Sequence, residues 1–168
     1  MFRATFVLTL SLTVMAALGP AAAGELRTLL PMPASPDYVG ECGGCHTAYA
    51  PTFLPAVSWR TLMANLDRHF GDDASLSADV SDTLRNQIET LAGDTPFGVA
   101  AITRRNARPP AGEAALRITA SPFFAYLHDE IPGSIWKRTK IGGKSNCIAC
   151  HPKANQGSYF ESEIRIPK

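Results

Sequence analysis

The chain has 168 residues, 16 basic and 15 acidic, for a formal net charge of +1 at neutral pH. That length suits one domain or two small lobes. A charge this close to balance, with no basic binding motif, argues against a protein that works by binding nucleic acid.

Residues 1–23 read as a cleaved signal peptide. Arg3 supplies the charged start, Ala4 to Leu18 form an apolar run, and Gly19-Pro20 breaks it. Ala21-Ala22-Ala23 supply the small residues of a cleavage site, with cleavage expected after Ala23. The run is too short for a comfortable membrane span. The expected product is a soluble periplasmic protein of about 145 residues, 168 minus 23.

Ser35-Pro36-Asp37 opens a helix leading into Cys42-Gly43-Gly44-Cys45-His46. A loop broken by Pro51 and Pro55 follows. The spacing then predicts a helix over 57–70, ending at Gly71, with Leu62, Leu66 and His69 at i, i+4 and i+7 on one apolar face. Ser77 caps a predicted helix from Ala78 to Ala92, with Val80, Leu84, Ile88 and Leu91 as its stripe. Pro96, Gly98, Pro109, Pro110 and Gly112 mark 94–121 as an irregular crossover without regular elements. Ser121 and Pro122 start a short helix in which Phe124, His128 and Ile131 share a face. Pro132-Gly133 turns the chain. Ser145 or Asn146 caps a helix over Cys147-Ile148-Ala149-Cys150-His151. The alternation from Tyr159 to Ile166 predicts a short edge strand or extended arm.

The two Cys-x-x-Cys-His pentads carry the chemistry. Such a pentad reads as covalent haem attachment: each cysteine adds to a vinyl group, and the histidine becomes an axial ligand. Cys42, Cys45, Cys147 and Cys150 are all the cysteines of the chain, so none is left for a structural disulfide. A zinc site would have to unite two distant pentads and leaves both histidines unexplained. A thioredoxin-like dithiol needs a preceding buried strand, which neither pentad has.

Four histidines are present: His46, His69, His128 and His151. Two belong to the pentads, and two remain for two haems. No methionine follows Met63, so the second haem has no local methionine. Bis-histidine ligation at both irons is the economical assignment, with His46 paired to His69 and His151 to His128 by nearness in sequence. A crossed pairing stays open, and Met63, then Met32, are the rival ligands. Asp129 or Glu130 is a candidate acceptor for the second ring nitrogen of His128. The expected fold is mainly α. It has an N-terminal haem lobe over 24–103, laid out like a class I cytochrome c. The C-terminal haem lobe over 104–168 is irregular, with short helices and an extended arm. Residues 24–103 carry four basic and ten acidic side chains, and 104–168 carry eleven and five. That asymmetry would orient redox partners.

The assembled residues resemble the small periplasmic dihaem cytochromes c of the DHC type. The resemblance rests on Trp59-Arg60-Thr61-Leu62-Met63, on His69-Phe70-Gly71-Asp72-Asp73-Ala74, and on His128-Asp129-Glu130-Ile131 with Trp136. It continues through Ser145-Asn146 and the second pentad to Gly157-Ser158-Tyr159. It covers most of the chain after the leader except 94–115. It implies two covalently attached haem c groups with bis-His ligation, and two lobes. It further implies electron delivery to a high-spin monohaem cytochrome that binds oxygen. His69 and His128 match the two distal ligands of the family. Phe123-Phe124-Ala125-Tyr126-Leu127 departs from the polar, Arg-containing run expected there, which touches the partner surface only. A membrane quinol-oxidising enzyme is a candidate donor. The expected activity is electron transfer without catalysis. The competing readings are an electron-feeding dihaem subunit of a periplasmic reductase and a dihaem peroxidase, which would need an open axial position.

Overall fold

The computed structural model describes Leu26 and residues 28–168. The leader expected over 1–23 lies outside the described residues. Six short α-helices, joined by 3-10 turns, make up the regular structure there. Strands are absent from the described residues, and one isolated bridge joins His69 to Asp72. The fold is mainly helical, as the sequence predicts.

Pro36, with φ near −60°, starts α1 (Asp37–Cys42), and Asp37 places a negative charge in its first turn. α2 (Ala56–Met63) and α3 (Ala78–Thr90) pack against each other. Their facing side chains, Trp59, Leu62, Met63, Leu84 and Ile88, are all buried. Full burial of Leu84 and Ile88 contributes roughly 1.5–3 kcal/mol each. The Trp59 indole N–H is satisfied by the Pro51 carbonyl at 2.7 Å. Gly93 follows α3 at a point where its N–H reaches the Leu54 carbonyl at 2.8 Å, and a Cβ there would collide with the Thr52 carbonyl.

Four local expectations need correction. The helix expected over 57–70 stops at Met63. Asn65 leaves the helical region (φ −136°, ψ 36°), and its side-chain amide donates to the Thr61 carbonyl at 2.8 Å. That side chain competes with the backbone for an i−4 acceptor and ends the helix. Leu66–Arg68 forms a separate 3-10 turn, and His69 follows it in a non-helical conformation. Residues 94–121 are not irregular throughout: α4 (Ala100–Arg105) buries Ile102, and 3-10 turns occupy Gly112–Leu116 and Ile118–Ala120. Asn106 anchors this stretch, donating to the Phe53 carbonyl at 3.2 Å and accepting from the Phe123 N–H at 2.9 Å.

Third, the second pentad sits on a single 3-10 turn, Cys147–Ala149, with no side-chain cap. Asn146 instead donates its amide to the Ile141 carbonyl at 2.9 Å. Fourth, the tail forms no strand. Glu161–Glu163 is a 3-10 turn, and the Arg165 N–H donates to the Cys150 carbonyl at 2.9 Å, so the tail is tied to the pentad and not to a ladder. Ser121 does cap α5 (Pro122–Leu127), accepting from the Phe124 N–H at 3.1 Å. The last helix is α6 (Gly133–Trp136).

The segment just after the first pentad docks on the second. The Ile148 N–H donates to the Thr47 hydroxyl at 3.1 Å, and the Ala48 N–H to the Asn155 side chain at 3.1 Å. The Tyr49 hydroxyl donates to the Ser145 carbonyl at 2.6 Å. Thr47 and Ala48 are buried in this seam. Nearby, the Leu30 N–H reaches the Gly157 carbonyl at 2.8 Å. Gly157 has φ 75°, and a side chain there would strike the Leu30 carbonyl, so both backbone shape and space call for glycine.

Candidate haem sites

α1 delivers Cys42 and the turn beyond it delivers Cys45 and His46. The four cysteines form no disulfide. Burial pushes the Cys42 and Cys147 thiols up to about 11, with Glu41 adding to the effect at Cys42 and Cys150 at Cys147. Reactive dithiols have depressed thiol pKa values. The Cys42 and Cys147 thiols run the other way.

The histidines stand in pairs. The ring centroids of His46 and His69 are 6.0 Å apart, with planes 31° from parallel. Those of His128 and His151 are 6.2 Å apart, with planes at 77°. Two imidazoles sharing one metal atom, each through a bond of about 2 Å, place their centroids on the order of 6 Å apart. Each predicted pair is therefore brought together at a spacing that one iron between the rings would fit. The rival Met63 is buried in the core of α2.

Two of the four rings are oriented by a carbonyl. His46 Nδ1 lies 2.7 Å from the Thr47 carbonyl, and His128 Nδ1 lies 2.9 Å from the Phe124 carbonyl. An Nδ1–H donated to a carbonyl leaves Nε2 for a metal. The partner of His128 is thus the carbonyl one turn back, in place of the Asp129 or Glu130 expected from sequence. His46 also stacks on Tyr49 at 4.8 Å. His128 stacks on Phe124 at 4.2 Å and meets Trp136 at 5.6 Å.

His69 is held differently. Its Nδ1 is buried without a hydrogen-bond partner. Phe70 meets its ring edge-on at 4.8 Å, and the Arg117 guanidinium lies 4.0 Å over Phe70. Phe70 has φ 54°, an outlier for a bulky residue. Burial lowers the pKa of His69, and the nearby His46 and Arg117 lower it further, against Asp72. Burial likewise lowers His128, and holds His151 down to about 4 with help from His128. In all three the shift favours the neutral ring, the form that binds metal.

The C-terminal pair faces a cavity of about 420 Å³. Its wall includes Cys147, Cys150, His128 and His151, with Phe124, Trp136, Ile141 and Tyr159 among the apolar residues. Tyr159 lies 5.3 Å from His151, and its buried hydroxyl has no protein partner. Spacing and composition gave no signal for Tyr159, Phe70 or Arg117 as parts of these sites, although Phe70 and Tyr159 stood inside the resembling motifs.

The residues fit the group the pentads imply. Among the described residues no three His, Cys, Asp or Glu side chains converge, whereas a metal held by protein alone needs three or four donors. Pairs of imidazoles suit an iron whose remaining ligands come from a porphyrin. A buried tyrosine hydroxyl and a large apolar cavity beside an attachment pentad suit the rest of the macrocycle.

A mainly helical chain with two such attachment sites is a dihaem c-type cytochrome. Residues 38–159 match the family model for dihaem cytochrome c, and the chain belongs to that family, carrying two covalently bound haem c groups. It is similar to a solved dihaem cytochrome c from Rhodobacter sphaeroides, at 34% identity and a TM-score of 0.66, over 79% of this chain and 100% of that one. It is also similar to a dihaem cytochrome c from Shewanella baltica OS155, at 35% identity and a TM-score of 0.63, over 81% and 95%. No curated protein matches it. Family and fold support electron transfer as its activity. No helix of the described residues is long and apolar enough to cross a membrane.

Proposed function

We propose that the protein is a periplasmic electron carrier, exported by residues 1–23, in which histidines close both axial positions of both irons. Cys42 and Cys45 hold the N-terminal haem, with His46 and His69 as its ligands. Cys147 and Cys150 hold the C-terminal haem, with His151 and His128. The observation that carries this is the pair of imidazole separations, 6.0 and 6.2 Å.

A haem bound at each site supplies a one-electron ferric–ferrous couple. The chain's part is to bring the imidazoles together in pairs, to aim His46 and His128, and to surround the rings with apolar side chains. The Thr47 and Phe124 carbonyls fix the tautomer of His46 and His128. Ligation by two histidines without methionine keeps both potentials low. With no axial position open at rest, neither iron is available for peroxide chemistry, which argues against an enzyme. Residues 24–103 and 104–168 form the two haem lobes of this reading. The partner it favours is a high-spin monohaem cytochrome, supported by the family resemblance and by the basic excess of 104–168.

Separate His69→Ala and His128→Ala substitutions test the ligand map. Each should turn one haem high-spin and leave the other unchanged in resonance Raman spectra. Two variants that both stay wholly low-spin would overturn it. A high-spin fraction in the resting, unmodified protein would favour the peroxidase reading.

A further inference from the structure

Of His69 and His128, His69 is the less secured, in a way that bears on function. Its Nδ1 has no partner, whereas His46 and His128 each have a carbonyl at hydrogen-bond distance. It lies outside any α-helix, in a tight loop closed by two backbone bonds, Asp72 N–H to the His69 carbonyl at 3.2 Å and Ala74 N–H to the Leu66 carbonyl at 2.9 Å. The next residue is the one non-glycine with positive φ among the described residues. Its exposed aromatic ring does not pay for that strain by core burial. It instead meets the His69 ring edge-on and lies under the Arg117 guanidinium, which Glu113 in turn holds. Strained backbone of this kind persists only where its surroundings enforce it, and it gathers at sites that must change state.

We propose that the distal face of the N-terminal haem is an inducible site for a small haem ligand, such as a neutral diatomic gas. The site opens by withdrawal of His69, with Phe70 and Arg117 as the latch. When the latch releases, the loop around residues 65–74 relaxes the Phe70 backbone and carries His69 off the iron. The exchange consumes no electron and no proton: the iron–nitrogen bond to His69 breaks, and a bond from ferrous iron to the incoming ligand forms. The C-terminal haem lacks this route. His128 is fixed by the Phe124 carbonyl, by the stack on Phe124 and by Trp136, all on neighbouring helices. The apparent affinity of such a site is the intrinsic affinity scaled by the fraction of open molecules, so weakening the latch tightens binding without changing the iron.

The inference rests on His69 being a ligand, and the test separates the two claims. Carbon monoxide is titrated into the reduced dihaem protein, with the responding haem assigned by resonance Raman spectroscopy. The unmodified protein, Phe70→Ala and Arg117→Gln are compared. The expected result is weak binding at the N-terminal haem alone, with a dissociation constant on the order of tenfold lower in both variants. Binding first at the C-terminal haem would overturn the proposal, as would variants that bind no more tightly than the unmodified protein. Arg117 is exposed, so its variant keeps the test valid if Phe70→Ala folds poorly. If His69→Ala leaves the N-terminal haem low-spin, the ligand assignment has failed. If His69→Ala turns it high-spin while the two latch variants change nothing, the latch alone has failed.

Discussion

His69 and His128 stand at matching distances from their pentad histidines, yet the chain holds them by different means. Around His128 a carbonyl, a stacked phenyl and an indole converge from α5 and α6. Around His69 there is one edge-on phenyl, supplied by its own strained neighbour, and a guanidinium behind it. Equal donor atoms at equal spacing therefore do not make equal sites. What differs is the number of independent elements that must move before the imidazole can move.

The comparison can be broken most forcefully at Phe124. This buried ring is both the stacking partner and part of the core. Phe124→Ala should cost about 3–5 kcal/mol in denaturant unfolding of the dihaem protein. It should also bring high-spin character to the C-terminal haem only. A loss below about 1 kcal/mol would show that the stack adds nothing to the stability of that site.

Thr47→Val comes next in size. It leaves the Ile148 N–H facing a methyl group in a partly buried seam. The expected loss is about 1–3 kcal/mol, read from the unfolding midpoint. Unchanged stability would mean that the two pentads are docked by packing alone. Phe70→Gly should cost far less than Phe124→Ala. Release of the positive φ offsets the loss of an exposed ring, so stability changes by less than about 1 kcal/mol. A large stability loss there would place Phe70 in the core, against its exposure.

The smallest expected effect is on potential. The acidic excess of 24–103 and basic excess of 104–168 should make the C-terminal haem the higher of the two. The gap should narrow as salt is added, because surface charges are screened. Spectroelectrochemical titration with the haems assigned individually checks this, and a higher N-terminal potential would contradict it.

The pentads made haem attachment readable from sequence, because covalent attachment demands particular atoms, and the scarcity of histidine and methionine narrowed the candidate donors to residues the fold brings together in pairs. Capping at Ser121-Pro122 and the stripe of α3 were readable for local reasons too. The break at Asn65 was not: Leu62, Leu66 and His69 keep helical spacing, and only a side-chain bond to Thr61 shows that the helix ends. α4 was hidden by the prolines and glycines around it. It is held by tertiary contacts, including Ile102 burial and the Asn106 bridge from Phe53 to Phe123. The Phe70 outlier, the Tyr159 hydroxyl and the seam are properties of packing between distant segments, which periodicity does not encode.

Thr47 and Ala48 leave the ribosome 101 and 107 residues ahead of the groups they bond. Contacts of that separation reward the chain only after a long loop has closed, which slows folding. The wall beside the first pentad therefore stays unfinished until most of the chain has been made. Residues 145–157 complete it.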